Sequence, residues 1–300
     1  MWYWVLILTA MAAFGQSATE VYTYDANGRR VLASQQVNGE QRVRNLNGRV
    51  APLEKVEEKV LREDSTGREV ERVIRPFDAN GNPQPPQKIR IVERKESDGS
   101  KSIETQVFNG NINGSFSLAE RRQAVERTSG AQTVTELQIA RPTINGSLET
   151  TERQQTTVSK AGEKTSQDTF VYRRDANGSF YTAVREVKET EKRDGVTVEN
   201  ASTYITGDRR DLVLTAQTVT ETARRPDGSE TKQVNIYGIN APGRPVDNRP
   251  VLREQQIIEK AKTASGTVET LSIRRPPVDN PNALGPAQKI SESVCTGPCK

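Results

Sequence analysis

The side chains able to do chemistry here are carboxylates at glycine turns, a row of cations, and two cysteines near the C-terminus. Asp98, Asp175, Asp194 and Asp227 all stand at turn glycines. Glycoside hydrolysis needs two carboxyl groups about 5–10 Å apart across a cleft; these acids fall at separate turn tips, and no pair is marked. Asp-x-Asn-Gly could open a calcium loop, but no glutamate follows at the spacing that closes the coordination shell. The 300 residues contain no histidine. That removes Ser-His-Asp and Cys-His pairs, histidine metal ligands and imidazole proton transfer. The sequence predicts no catalytic residue, no metal site, no cofactor, and a protein that is not an enzyme.

The cysteines read Cys295-Thr-Gly-Pro-Cys299. The Gly-Pro between them can turn the chain back to close a small ring. An intramolecular disulfide, an intermolecular one and free thiols all remain open. The cations recur: Lys88, Arg121, Arg153 and Arg185 each stand seven residues past a turn glycine. One reading is a basic stripe for an acidic polymer. The other is a charge ladder in which each cation meets Glu or Thr on the next strand. With 43 basic and 39 acidic side chains the net charge is only +4, which favours the ladder and argues against nucleic acid as a partner.

The elements that must carry these residues announce themselves through glycine. One series of turns runs through Gly67, Gly99, Gly130, Gly162, Gly195, Gly228 and Gly266, mostly 31–33 residues apart. A second lies halfway between, at Gly81, Gly114, Gly146 and Gly178, with spacings of 32–33. A period in this range marks an array. Asn-Gly and Asp-Gly are strong hairpin signals, because the turn needs positive φ. The intervening segments are rich in Thr and Val, which favour strands. About seven repeats give about 14 strands.

Two-residue loops at these turns predict registers. Arg62 would face Glu71, and Val60 would face Val73. Arg225 would face Glu230, and Val219 Ile236; Lys262 would face Glu269, and Ile258 Ile273. Such pairs stabilise by about 0.2–1 kcal/mol each. The expected architecture is all-β: an elongated antiparallel hairpin-repeat meander, about 31–33 residues per repeat, at least partly single-layered. The alternative is a curled two-layer or barrel-like sheet with Val, Ile, Leu and Phe inside. A membrane barrel is disfavoured, since lipid-facing alternation and aromatic girdles are not evident.

Tyr24-Asp25-Ala26-Asn27-Gly28-Arg29 resembles the YD repeat of RHS-type secreted shells and teneurin-like surface proteins. Phe77-Asp78-Ala79-Asn80-Gly81 and Arg174-Asp175-Ala176-Asn177-Gly178 are looser copies. The resemblance implies a secreted or surface-displayed β-hairpin array whose repeats do no catalysis.

Residues 2 to 14 are apolar except Thr9, and Ala13-Phe14-Gly15 forms a small-x-small site. Residues 1–15 therefore read as a signal peptide, with no later segment apolar enough to span a bilayer. Residues 16–56 read as irregular N-terminal strands or a cap, 57–290 as the repeat array, and 291–300 as a cysteine-containing tail. Asn113, Asn145, Asn177 and Asn200 fit the glycosylation sequon. The location expected is secreted, cell-surface or periplasmic. The function expected is a non-catalytic structural or interaction protein: a spacer, adhesin-like rod or matrix component. The alternative is a polysaccharide-binding repeat module. The partner would be a cell-surface polymer or another protein.

Overall fold

The structure is a computed structural model. It describes residues 18–24, 29–37, 40–44, 50–78, 81–111, 113–207, 210–238, 250–263, 266–277, 280 and 283–296. The expected signal peptide, Asp25–Gly28 and Cys299 lie outside them. The first strands are β1 (Ala18–Tyr24), β2 (Arg30–Val37), β3 (Glu40–Arg44), β4 (Val50–Asp64), β5 (Gly67–Pro76) and β6 (Gln87–Lys95). Then come β7 (Lys101–Gly110), β8 (Phe116–Ser129), β9 (Gln132–Pro142), β10 (Leu148–Ala161), β11 (Lys164–Arg174) and β12 (Phe180–Arg193). The last are β13 (Val196–Thr206), β14 (Leu212–Arg224), β15 (Glu230–Gly238), β16 (Val251–Thr263), β17 (Gly266–Arg274) and β18 (Gln288–Thr296).

Every strand pairs antiparallel with its sequence neighbours, and β1 pairs with β18. The all-β hairpin meander holds, in one layer: each pair of strands in substantial contact is a ladder pair. The open, elongated form does not hold. The sheet closes into an 18-stranded barrel, the curled alternative. The strand count rises above 14 because residues 16–56 supply β1–β3 and the start of β4 as regular ladder members, and β18 runs into residues 291–300. Closure pairs the N–H and C=O rows that an open sheet leaves at its edges.

The turns are of two kinds, and this corrects the registers. At 130–131, 162–163 and 194–195 two residues join the strands, with Gly130 at φ 58°, Gly162 at 60° and Gly195 at 80°. Most Asn-Gly and Asp-Gly turns instead use three residues. In 96–100, 111–115, 143–147, 175–179 and 225–229 the glycine N–H donates to the C=O three residues back, and the first N–H of the five donates to the last C=O. This is a type I turn followed by a left-handed glycine. The extra residue shifts the pairing by one, so Arg224 rather than Arg225 faces Glu230, and Thr218 faces Ile236. The loop at 65–66 is centred one residue earlier than expected, and Leu61 bulges. Arg62 therefore faces Glu69, and Val60 faces Val70. Around 264–265 the shift is two, so Lys260 faces Glu269 and Ile258 faces Leu271. Gly67 is thus a strand residue, needed because a Cβ there would run into the carbonyl oxygen of Glu93.

Following opposed residues once around the wall returns to the starting strand displaced by about 20 residues. With strands about 4.8 Å apart this gives a tilt near 40° and a wall roughly 35 Å across. L-chirality and the turn hydrogen bonds fix the side on which each next strand lies. The right-handed twist of sheets then leaves only one face as the outer one. It carries Lys88, Arg121, Arg153 and Arg185. The inner face carries an aliphatic belt, including Val70, Ile91, Ile139, Val171, Val184 and Ile258. Burial agrees, since side chains converge on a concave face: Val70, Ile139, Thr169, Val184 and Thr220 are buried there, against Gln255 on the outer face. No large side chain among the described residues is fully buried.

Candidate functional site: a girdle on the outer face of one rim

The turns that follow odd-numbered strands form one rim, called here the lower. Just above it the wall carries a ring of β-bulges. Ala33, Leu53, Ala119, Thr151, Ala183, Thr215, Arg253 and Ile290 are each skipped in the ladder on an even-numbered strand. Bulges gather at barrel rims because the extra residue bends the strand and raises its twist. Four of these fall 32 residues apart: 119, 151, 183 and 215.

Aromatic and leucine side chains together keep the same beat. Phe116, Leu148, Phe180 and Leu212 occupy equivalent positions on β8, β10, β12 and β14. Phe108, Tyr172 and Tyr204 do so on β7, β11 and β13, facing Leu118, Thr182 and Leu214. Tyr237 faces Leu252, and Tyr22 faces Leu32. All these lie on the outer face below the bulges. Phe170 stands one tier above, stacked on Tyr172 with centroids 6.3 Å apart. Tyr181 lies at the same height on the inner face. The expectation that no aromatic girdle exists is therefore corrected. Rings this sparse, at most two on a strand and absent from many, leave no local alternation to read.

Cations sit over the rings. Arg30 lies 3.7 Å from the Tyr22 centroid and Arg153 4.3 Å from Phe180. Lys88 lies 5.2 Å from Phe108 and 5.0 Å from Phe116; Arg185 is 5.1 Å from Phe170, and Lys289 5.1 Å from Tyr24. Such contacts contribute about 0.5–1 kcal/mol at exposed positions. The four cations singled out in the sequence thus share one face and nearly one height. Arg121, Arg153 and Arg185 each follow a bulge by two residues.

Their charges are handled differently. Arg121 grips Glu104 with two hydrogen bonds, at 3.2 and 3.0 Å, and Arg185 grips Asp168 at 3.0 and 2.8 Å. The Arg121 guanidinium holds Glu104 below the ordinary glutamate range, and Asp168 raises Arg185. Lys88 reaches Glu71 at 3.8 Å. Among the described residues Arg153 meets a ring and not a carboxylate. The charge ladder expected from the sequence is present at Arg121 and Arg185.

Below the bulges the outer face has a one-sided composition. Its described strand residues are aromatic, aliphatic, small, polar or cationic (Arg30, Arg42, Arg44, Arg174, Arg274, Lys289), and none is acidic. Carboxylate partners on that face stand one tier higher: Glu292 takes Arg30 at 2.6 Å and Lys289 at 2.7 Å, and Glu40 takes Arg42 at 2.8 Å. Arg174 instead pairs at the rim itself with Glu149, which alternation along β10 assigns to the inner face. Acids at the lower turns cap backbone; Asp175 accepts from the N–H groups of Asn177 and Ser179, both at 2.9 Å.

The remaining expected residues are dispersed. Gly81, Gly114, Gly146 and Gly178 sit in lower-rim turns with φ between 77° and 85°. Gly99 (82°) and Gly228 (81°) sit in upper-rim turns, and Gly266 opens β17. Cys295 is disulfide-bonded. Among the described residues no group of three or more potential ligands could hold a metal ion, and no helix is long and apolar enough to cross a membrane. No protein-family model matches the chain, and no curated protein matches it.

Proposed function

We propose that the chain is a non-catalytic structural and interaction protein of the cell exterior, working as a hollow spacer that makes contact through its lower rim. The observation that carries this is the girdle, where aromatic rings and cations share the outer face. The apolar leader at residues 2 to 14 supports export, and the YD-like turns accord with a secreted hairpin array. Fractionation of cells producing the full chain tests the reading. The expected result is protein lacking residues 1–15, recovered outside the cytoplasm. Unprocessed protein in the cytoplasm would overturn it.

A second reading, polysaccharide binding, draws on the same residues, since exposed rings can stack on sugars and the post-bulge row continues as Gln217 and Gln255. A glycan array discriminates: saturable, sequence-specific capture supports this reading over the first.

A further inference from the structure

We infer that the lower rim seats in the headgroup region of an anionic lipid bilayer. This rests on the proposed exterior location and names the partner of the girdle. Three observations converge. First, every aromatic residue among the described ones lies on or beside this rim, 11 in all once the four of the leader are set aside from the total of 15. Six of them are tyrosines, whose rings carry one polar edge and favour the boundary between water and acyl chains, and the other five are phenylalanines that add apolar area beside them. Second, the outer face there lacks acidic strand residues while keeping cations, so its charge complements anionic headgroups. Lys88, Arg153 and Lys289 lie along ring faces, and their long stems can lift the charge toward phosphate as the rings enter. Third, Ile144 projects fully exposed from the turn between β9 and β10, beyond the last tier of the wall.

The same wall limits the depth. One tier above the bulges the outer face carries Glu71, Glu104, Asp168 and Glu292. Above these, charges continue to the far rim. A charged ring in hydrocarbon is prohibitive, so the barrel stands on the surface and does not span. The girdle is about two outward residues tall, which matches the roughly 5–10 Å reach of interfacial elements.

Flotation of residues 16–300, which include every described strand, with phosphatidylglycerol and phosphatidylcholine vesicles tests this. Binding to the anionic vesicles is expected to exceed that to the zwitterionic ones at least tenfold and to weaken as salt rises. The triple variant Phe116→Ser, Phe180→Ser, Leu212→Ser should lose at least tenfold in binding. Val134→Ser with Val196→Ser, on the outer face nearer the upper rim, should lose none. The unmodified protein gives a readout independent of variant folding. All described tyrosines lie at this rim, and residues 16–300 contain no tryptophan, so brominated lipid should quench the intrinsic fluorescence. Absence of vesicle binding, equal loss in both variants, or capture by glycans without lipid would overturn the inference. Exterior fractionation together with failed vesicle binding would sink the lipid partner alone and leave the proposed function standing.

Discussion

The two rims of this barrel are built from the same repeat and yet differ in chemistry. At the upper rim, strands meet mostly through two-residue turns, and the outer wall mixes Arg, Glu and Lys with Val, Thr, Gln and Ser, without an aromatic ring. At the lower rim, three-residue turns and a circle of bulges frame rings and cations. The two-residue turn carries the strand twist across with no spare residue. The bulge re-aims the side chains next to it, so the rim with bulges is the one that can present a girdle. Irregularity in the ladder thus coincides with the surface that carries the girdle.

The comparison presumes that both rims are closed rings, and the seam is the place to break it. Val21 on β1 faces Ser293 on β18. Val21→Cys with Ser293→Cys should form an intramolecular disulfide and stabilise the oxidised protein by about 4 kcal/mol, as expected for a long closed loop. Peptide mapping that finds no such link would mean an open sheet and no rims.

Next in size, glycines at the two rims should fail for different reasons. Gly67→Ala forces a Cβ against the Glu93 carbonyl and should cost about 3 kcal/mol by overpacking. Gly146→Ala meets nothing nearby but holds φ 77°, and should cost about 1–2 kcal/mol. Denaturant midpoints check the order; a reversed order would remove the steric role of Gly67.

Acid should separate aspartate-capped turns of the upper rim from an asparagine-capped turn of the lower. The Ser100 and Ser229 hydroxyls and N–H groups hold Asp98 and Asp227 below the ordinary aspartate value of 3.8. The native state therefore binds fewer protons than the unfolded one. The stabilisation is present above that value and is lost as pH falls through the folded pKa. Hydrogen-exchange protection at the upper turns 96–100 and 225–229, measured against the intrinsic rate at each pH, should fall on acidification below about pH 4. The lower turn at 111–115, capped by the neutral amide of Asn111, should not respond. Equal loss of protection at both would refute turn-specific capping.

The smallest effects belong to the stripe. Arg121→Ala removes a two-point ion pair and should cost about 0.5–1 kcal/mol. Arg153→Ala removes a ring contact and should cost about 0.5 kcal/mol. A double-mutant cycle of Arg153 with Phe180 that returns no coupling would dissolve the girdle's cation–ring register.

The hairpins and their period could be read from Gly114, Gly146 and Gly178 because positive φ leaves a compositional mark. The register could not, because Asn-Gly serves both two-residue and three-residue turns, and one residue moves every pair. The bulges left little trace: Ala119, Thr151, Ala183 and Thr215 share a spacing and alternate between two small residues common throughout the strands. Closure depends on β1 meeting β18, a pairing between chain ends that no local pattern encodes. The cations were visible at seven residues past glycine. Their aromatic companions followed the same count and could have been found by it, since Phe116 and Phe180 stand two residues past the turn glycines.

The 32-residue spacing of the bulges has a consequence for size. Each successive repeat adds two strands to the wall and about two residues to the helical advance of the register. Strand tilt depends on the ratio of those quantities, so duplicating one repeat leaves the tilt unchanged. The enlarged ring would have the same rims and the same girdle, with a bore about 4 Å wider. Diameter in this architecture is therefore quantised, and a lineage could change it by whole repeats without redesigning a single strand.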